Sequence, residues 1–238
     1  NQMISALERM VEAQQRLISD ISHELRTPLT RLQLASALLR RRSGESKELE
    51  RIETETQRLD GMINDLLVLS RNQYKNELLR ETVKANELWN DILDNAKFEA
   101  EQSNKTLTVT APPGPWTIYC NPYSLASAFE NIVRNALRYS HSRIEVAFTE
   151  QNQGITIIVD DDGPGVSPED REHIFRPFYR TDEARDRESG GTGLGLAIVE
   201  TAISQHRGHV KADDSPLGGL RVEIWLPRGS VVNKSQHA

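Results

Sequence analysis

The sequence has few residues that form covalent or metal cross-links, and it lacks long apolar runs. Cys120 is the single cysteine among 238 residues, which excludes an internal disulfide framework and a zinc site built from cysteines. No stretch reaches the roughly 18 to 20 apolar residues that a membrane-spanning helix requires, and no signal peptide opens the chain. With 27% charged and 37% hydrophobic residues, the composition predicts a chain that folds in water around apolar cores.

Acidic residues outnumber basic ones, but unevenly along the chain. Residues 1–80 carry 13 basic and 12 acidic side chains, whereas residues 81–238 carry 16 and 23. An acidic second half argues against general nucleic-acid binding, which requires a basic surface, so we expect no nucleic-acid partner. The first residue is Asn1 rather than methionine, and we interpret the chain as one part of a longer protein.

Apolar residues recur at heptad spacing from the start of the chain, which is typical of helices that pack along a seam. The first seam comprises Ile4, Leu7, Val11, Ile18, Ile21, Leu25, Leu32, Ala35 and Leu39. After a polar break at 43–46, a second seam comprises Leu49, Ile52, Leu59, Ile63 and Leu66. The pattern predicts two helices of about 40 and about 28 residues that form an antiparallel hairpin. Because one hairpin buries only a narrow stripe, we expect two chains to combine into a symmetric four-helix bundle.

Beyond residues 74–82 the pattern changes to short alternating runs separated by helical segments. Strand-like runs occupy 107–110, 117–119, 143–149, 154–160 and 220–226, and helical patterns occupy 88–98, 122–140 and 194–207. Gly154 lies between two alternating runs, which favours a hairpin turn at that point. The second half is therefore predicted to be an α/β sandwich, with one mixed sheet and helices on one of its faces.

Residues 22–29, Ser-His-Glu-Leu-Arg-Thr-Pro-Leu, combine a solvent-facing histidine with a proline inside a long helix. The heptad positions place His23 away from the seam, and an isolated histidine of this kind is usually an ordinary surface residue. Pro28 removes a backbone donor and bends the helix one turn past His23, which favours access for a bulky partner. Glu24 can accept the imidazole proton during a nucleophilic attack, and Thr27, one turn on, can hold a water molecule.

An acidic, glycine-containing turn follows the strand predicted at 154–160. Three acids and two glycines, Gly163 and Gly165, give a tight turn that points a carboxylate into a pocket. A carboxylate accepts a hydrogen bond from an exocyclic amine, so Asp161 can bind the N6 group of adenine. A calcium loop of the EF-hand kind needs acids at alternating positions and a glutamate further on, and the sequence does not supply that pattern.

A second glycine-rich run, residues 190–196, opens a predicted helix. Backbone amides at such a helix start bind phosphate oxygens, although a run of this kind by itself is also typical of a flexible linker. It lacks the Gly-Lys-Ser/Thr of a Walker A motif and the position of a Rossmann motif. The charged segment before it, residues 180–189, is predicted to be a mobile lid.

A polar stripe runs along the helix predicted at 122–140. Asn131, Asn135 and either Arg138 or Tyr139 fall on one face at helical spacing, opposite an apolar face. Aligned amide oxygens can coordinate Mg²⁺ and bind phosphate, and Arg138 adds positive charge. A polar stripe is also typical of a solvated helix face, so this motif by itself decides nothing.

These four motifs, together with the segment Phe175–Arg180, stand in the order and at the spacing found in bacterial sensor histidine kinases of two-component systems. The chain resembles that family over nearly its whole length. Within the family, the segments Arg40–Ser46, Glu48–Asp65 and Ser167–Leu196 resemble the envelope-stress sensor kinases.

The resemblance implies a homodimeric α-helical hairpin that forms a four-helix bundle, followed by an α/β sandwich ATP-binding domain of the Bergerat type shared by gyrase, Hsp90 and MutL. The implied segments are the end of an upstream signalling helix (1–16), a dimerisation and phosphotransfer domain (17–75), a linker (76–82), a catalytic ATP-binding domain (83–228) and a tail (229–238). The implied cofactors are ATP and Mg²⁺, and the implied partner is the receiver domain of a response regulator. Membrane segments outside this chain would make it the cytoplasmic portion of an inner-membrane protein.

The resemblance also implies a role for each motif residue. His23 would be the phosphorylated residue, Glu24 the base for autophosphorylation, and Thr27 would position the water that dephosphorylates the regulator. Asn131 resembles the Mg²⁺ ligand. The residues implied to bind nucleotide are Asn131, Asn135, Arg138, Tyr139, Asp161, Gly163, Gly165, Arg185, Arg187, Gly191, Thr192, Gly193, Leu194 and Gly195. Either Arg185 or Arg187 would reach the γ-phosphate.

Two other functions remain open on the sequence alone. ATPases of the gyrase, Hsp90 and MutL class resemble the second half, but they carry a glutamate four residues before the asparagine that corresponds to Asn135. Asn131 occupies that place relative to Asn135, and an amide cannot act as the base that activates water. The other alternative is a dimerisation scaffold whose ATP site is degenerate, and nucleotide titration distinguishes it from an enzyme.

Overall fold

The computed structural model describes residues 2–72, 79–151, 154–181 and 191–227. It divides into two compact units, Asn1–Arg71 and Asn72–Ala238. Of the linker predicted at 76–82, residues 76–78 lie outside the described residues and residues 81 and 82 lie in a strand. The tail predicted at 229–238 also lies outside the described residues. No helix within the described ranges is both long enough and apolar enough to cross a membrane.

The first unit is a helical hairpin. Helix α1 spans Gln2–Ser43 and runs on through Pro28, and helix α2 spans Lys47–Asn72. The two helices contain 42 and 26 residues, so the predicted pair of long helices and the polar break between them are confirmed.

The turn between α1 and α2 is set by its own residues. Gly44 has a φ of 78°, in the left-handed region that glycine adopts without strain, and its N–H donates to the carbonyl of Arg40 at 2.9 Å. This is the usual glycine ending of a helix. Ser46 Oγ then accepts a hydrogen bond from the N–H of Leu49 at 3.2 Å and caps the start of α2.

The hairpin buries a face of α1 that differs from its heptad seam. Among the side chains of this unit that the structure describes, the buried ones are Ser22, Leu29, Ser36, Leu49, Thr56, Ile63, Leu67 and Ser70. The first seam is about half exposed instead, with Ile21 at 49%, Leu25 at 48%, Leu32 at 55% and Leu39 at 50%. A single chain therefore leaves the seam uncovered, as expected of half a bundle. The side chains of Ile4, Leu7 and Val11 lie outside the described part of the structure.

The second unit contains a two-stranded and a five-stranded sheet with helices packed against them. The strands are β1 (Glu81–Lys84), β2 (Thr106–Ala111), β3 (Thr117–Cys120), β4 (Arg143–Gln151), β5 (Gly154–Asp161), β6 (His209–Asp214) and β7 (Leu220–Pro227). The helices are α3 (Ala85–Gln102), α4 (Pro122–Tyr139) and α5 (Gly195–Gln205), with a short 3₁₀ helix at His173–Phe175.

The five-stranded sheet has the order β2-β4-β5-β7-β6, in which β2 and β4 are parallel and the other pairs are antiparallel. The predicted hairpin at Gly154 is confirmed, because Gly154 pairs with Gln151 across the β4–β5 turn. The prediction that all strands share one mixed sheet is wrong in one respect. Strand β3 pairs with β1 in a separate antiparallel sheet, and neither β1 nor β6 was predicted from the sequence.

The core of the second unit lies between the helices and one face of the five-stranded sheet. Alternate residues of β7 are buried, as the two-residue period of a strand requires, and they join the buried faces of α3, α4 and α5 in one cluster. Trp89, Phe129 and Phe148 form the aromatic centre of this cluster, with ring centroids 5.2 to 6.0 Å apart. Such packing fixes α4 and α5 against the sheet.

Candidate functional site

Helix α4 holds the predicted polar stripe in place. Asn121 caps its start by accepting a hydrogen bond from the N–H of Ser124 at 3.2 Å, and Pro122 follows at the first helical position. One side of α4 is buried in the core. On the other side, Asn131 and Asn135 are half-buried, so the stripe lies at the edge of the packed core rather than on a fully solvated face.

The glycine-rich run passes directly over this stripe. A Cβ atom added to Gly195 would lie 2.9 Å from Asn131 Oδ1, and one added to Gly191 would lie 2.5 Å from Arg138 Nη1. Asn131 is oriented by its own helix, because its Nδ2 donates to the carbonyl of Ser127 at 2.9 Å. The structure therefore brings together two of the motifs predicted from the sequence, and a larger residue at either glycine would require the facing side chain to move.

Asp161 lies at the end of β5 and is 3% exposed. Its Oδ1 accepts hydrogen bonds from the N–H of Gly163 at 2.8 Å and from the N–H of Leu220 at 3.2 Å. Both of its hydrogen bonds to the described part of the chain end on Oδ1, so Oδ2 remains as an acceptor for a ligand donor. Burial raises the pKa of the Asp161 carboxyl, although the N–H groups of Gly163 and Leu220 oppose that shift.

Two further contacts confine the turn around Asp161. A Cβ atom on Gly163 would lie 2.5 Å from the carbonyl oxygen of Tyr139, at the end of α4. A Cβ atom on Gly219 would lie 2.2 Å from Asp161 Oδ1, and the N–H of Gly219 donates to the Asp161 carbonyl at 3.1 Å. Gly219 and Leu220 are site residues that the sequence analysis missed. The pair Gly218-Gly219 is the signal that was available, but nothing local connects it with Asp161.

Asp162 ties the same turn to the connection between α4 and β4. Its carboxylate accepts hydrogen bonds from the N–H of His141 at 2.8 Å, from the N–H of Ser142 at 2.9 Å and from Ser142 Oγ at 2.7 Å. Partial burial opposes ionisation, but the donors of Ser142, Arg143 and His141 outweigh it and hold the pKa of Asp162 well below its ordinary range. Asp162 thus anchors the turn that carries Asp161, and the sequence analysis did not select it.

We expect Asp162→Asn to destabilise the protein by about 1–3 kcal/mol at neutral pH, because charge-assisted hydrogen bonds to the carboxylate are lost. A group whose pKa is depressed on folding contributes stability above its unfolded pKa and loses that stability as the pH falls through the folded pKa. The difference from the unsubstituted protein should therefore shrink as the pH drops below about 4. Urea unfolding at several pH values measures it, and a difference independent of pH would contradict the assignment.

The segment at Phe175–Arg180 is interlocked with the glycine run. The N–H of Phe178 donates to the carbonyl of Gly193 at 2.8 Å, and a Cβ atom on Gly193 would lie 2.9 Å from the Phe178 carbonyl carbon. Both residues have positive φ, 65° for Phe178 and 73° for Gly193, and a bulky residue rarely adopts that conformation. Thr192 Oγ1 accepts from the N–H of Leu194 at 3.2 Å at the start of α5.

The remaining predicted residues lie outside the described residues or in the first unit. Arg185 and Arg187 lie outside the described residues. His23, Glu24 and Thr27 lie on α1 in the other unit, where Glu24 and Thr27 are exposed. The side chain of His23 lies outside the described part of the structure.

Both units match known protein families. Residues 13–75 match the family described as His Kinase A (phospho-acceptor) domain, and residues 120–230 match the family described as histidine kinase-, DNA gyrase B-, and HSP90-like ATPase. The chain is 79% identical over 227 residues to Sensor histidine kinase CpxA of Escherichia coli (strain K12), an alignment that covers 95% of this chain and 50% of that protein. Sensor histidine kinase CpxA of Klebsiella pneumoniae is 78% identical with the same coverage. The chain spans about half the length of these curated relatives.

A solved structure shares the fold. The crystal structure of full-length ShkA in complex with AMPPNP aligns with a TM-score of 0.72 and 23% identity, and it covers 90% of this chain and 46% of that one. The resemblance predicted from the motifs is confirmed by the two family matches in the expected order and by the CpxA relatives. The chain belongs to the sensor histidine kinase family.

Proposed function

We propose that the chain is the catalytic half of an ATP-dependent protein-histidine kinase. In this proposal His23 is phosphorylated from ATP, and the phosphoryl group then passes to an aspartate on the receiver domain of a response regulator. The same protein dephosphorylates that regulator. The input is of the envelope-stress type, and segments outside this chain anchor the protein in the inner membrane, with this part on the cytoplasmic side.

The observation that carries the proposal is the convergence of Asp161, the stripe on α4 and the glycine run. A buried carboxylate with one oxygen fixed by backbone N–H groups leaves the other for the exocyclic amine of adenine. The amides of the glycine run at the start of α5, and the Arg138 guanidinium beside Gly191, suit the triphosphate. A ligand with an adenine base at Asp161 and phosphates at the glycine run would be a nucleoside triphosphate.

Magnesium fits the same donors. The amide oxygen of Asn131 lies beside the start of α5, and neutral oxygen ligands combined with phosphate oxygens are the usual protein environment of Mg²⁺. Within the described ranges no cluster of three or more histidine, cysteine or acidic side chains could hold a metal ion. Mg²⁺ held by Asn131 and by the phosphates of the nucleotide would neutralise the phosphate charge.

His23 is proposed as the nucleophile because neutral imidazole has a lone pair to donate and a second nitrogen that can release a proton. The attack forms an N–P bond to the γ-phosphorus and breaks the bond from that phosphorus to the β–γ bridging oxygen, so ADP leaves. Glu24, exposed on the same turn of α1, accepts the imidazole proton. Positioning and charge neutralisation supply most of the catalysis in such a transfer.

The experiment that tests the function is incubation of the chain with γ-labelled ATP and Mg²⁺. We expect label on the protein that is labile to acid and stable to base, as a phosphoramidate is, and no label on a His23→Ala variant. The Asn131 amide cannot act as a water-activating base, so we expect little free phosphate. Phosphate release as the main product would support an ATPase instead, and absence of Mg²⁺-dependent ATP binding would support a scaffold.

Thr27 is proposed to act only in dephosphorylation, since its hydroxyl is exposed one turn after His23 on α1. We expect Thr27→Ala to autophosphorylate at nearly the normal rate but to dephosphorylate the phosphorylated regulator at least about tenfold more slowly. Thr27→Ser, which keeps the hydroxyl, should recover most of the lost activity. Equal losses of both activities in the alanine variant would show that Thr27 maintains the helix and does not hold the water.

A further inference from the structure

Arg80 contacts the end of α5 within the second unit. It follows α2 along the chain and directly precedes β1. Its Nη2 donates to the carbonyl of Gln205, the last residue of α5, at 2.5 Å. Its Nε is buried and has no hydrogen-bond partner within the described residues. A guanidinium held against the carbonyl end of a helix is favourably placed with respect to the helix dipole.

The next residue after α5 extends this contact to α4. His206 is 6% exposed; its Nε2 accepts a hydrogen bond from the N–H of Asn121 at 3.0 Å, and its Nδ1 lies 2.7 Å from the Ala202 carbonyl. Because one nitrogen accepts and the other faces a carbonyl, the ring is neutral with its proton on Nδ1. Burial also lowers the pKa of His206. The end of α5 and the capping residue of α4 are therefore joined.

These contacts lie at the ends of α4 and α5 that are far from the candidate nucleotide site. Helix α5 starts at Gly195, beside Asn131, and ends at Gln205, beside Arg80. An α-helix of this length is a stiff rod of about 16 Å. Because α5 does not bend, attachment of the residues around Arg80 to its end fixes where the glycine run lies relative to those residues, without any contact between Arg80 and the nucleotide.

We infer that Arg80 is a positioning residue, which holds the residues directly before β1 against the end of α5 and thereby sets the direction in which the ATP-binding unit presents the γ-phosphate. This inference rests on the proposed kinase function. A purely structural role, as a cap of α5, would lower the stability of the unit and its affinity for nucleotide together. A positioning role lowers the transfer rate and leaves nucleotide affinity unchanged.

The test compares Arg80→Ala and Arg80→Lys in the full chain, with Lys84→Ala as the control. Lys84 is a nearby cation on β1, and among the described residues its ion pair is with the exposed Glu87. We expect Arg80→Ala to lower the His23 phosphorylation rate at saturating ATP by about tenfold or more, with the dissociation constant of a fluorescent ATP analogue within about twofold of normal. Arg80→Lys, which still donates to a carbonyl, should recover part of the rate, and Lys84→Ala should change nothing.

Hydrogen exchange separates this inference from the proposed function. Arg80→Ala should speed amide exchange in residues 79–84 and 200–206 and leave the turn at Asp161 unchanged. An unchanged rate at saturating ATP, or a loss of nucleotide affinity in step with the loss of rate, would overturn the positioning role. If the unsubstituted chain places no label on His23, the proposed function fails, and unchanged exchange in Arg80→Ala would then overturn the inferred attachment independently.

Discussion

Asp161→Asn is expected to lose ATP binding while the protein becomes no less stable. Asn Oδ1 can accept the same two hydrogen bonds from Gly163 and Leu220. Its Nδ2, however, replaces the acceptor Oδ2 with a donor that opposes the amine of adenine. The loss of a charge-assisted hydrogen bond and the opposition of two donors together cost about 2–4 kcal/mol, which is roughly 30- to 1000-fold in the dissociation constant.

The expected stability of Asp161→Asn follows from the burial of the Asp161 carboxylate. Burial raises the pKa of Asp161 in the folded protein, so the stability linked to its protonation is present at low pH and lost as the pH rises through the folded value. At neutral pH the ionised carboxylate therefore costs stability that the neutral amide does not. We expect the melting temperature of Asp161→Asn to equal or exceed that of the unsubstituted protein at pH 7 to 8, with the difference shrinking in acid.

Asp160→Asn is the matched control, because it makes the same change one residue earlier on the same strand. The Asp160 side chain points to the other face of the sheet. There it forms a bidentate salt bridge with Arg221, whose Nε and Nη2 donate to the two carboxylate oxygens at 2.9 and 2.8 Å. We expect the opposite pattern, a lower melting temperature with nearly normal ATP affinity. Isothermal titration and thermal unfolding of both variants measure the two effects. A parallel loss of stability and affinity in Asp161→Asn would contradict the role of Oδ2.

The parts of the site that could be predicted from the sequence are those whose residues are adjacent in the chain. In the turn at Asp161 and in the run at 190–196, the residues expected to bind the ligand follow one another, so each motif indicated its own binding role. Leu220 donates to Asp161 across a separation of 59 residues, and Asp162 binds backbone groups some 20 positions earlier. Those partners are brought together by the sheet, and no local pattern indicates them.

The two missed strands show a similar limit. In β6 all six side chains are exposed or half-buried, and the strand lies beside β7 at the edge of the sheet. The alternation that identified the central strands is therefore weak there. Strand β1 is short, and its side chains are as exposed as those of β6. Its extended conformation is stabilised by pairing with β3. For both segments, tertiary pairing outweighs the local signal.

The heptad pattern did not identify the face that the hairpin itself covers. Ser22 and Thr56 are buried on that face. Each hydroxyl donates a hydrogen bond within its own helix, Ser22 Oγ to the carbonyl of Ile18 at 2.7 Å and Thr56 Oγ1 to the carbonyl of Ile52. Small residues that bond within their own helix allow the two helices to approach closely. A pattern of apolar residues alone cannot reveal an interface built partly from hydroxyls.

Leu32→Glu is expected to convert a dimer into a monomer. Leu32 is 55% exposed in the centre of the seam formed by Ile21, Leu25 and Leu39, and a second copy of the hairpin is the proposed cover. In a two-fold dimer one substitution removes two apolar side chains and buries two carboxylates. We expect a cost of about 4 kcal/mol, equivalent to roughly 1000-fold in the dimer dissociation constant. Light scattering coupled to gel filtration, over a range of concentrations, measures the change.

Leu34→Glu makes the same substitution at a leucine of similar exposure, 60%, that lies about 200° further around α1. It should remain dimeric, because its side chain faces away from the seam and its new charge stays hydrated. Circular dichroism should show equal helix content in both variants, so that loss of the dimer is not loss of the hairpin. A dimeric Leu32→Glu, or a monomeric Leu34→Glu, would show that the seam is not the surface on which two chains meet, and the four-helix bundle would have to be built on another face.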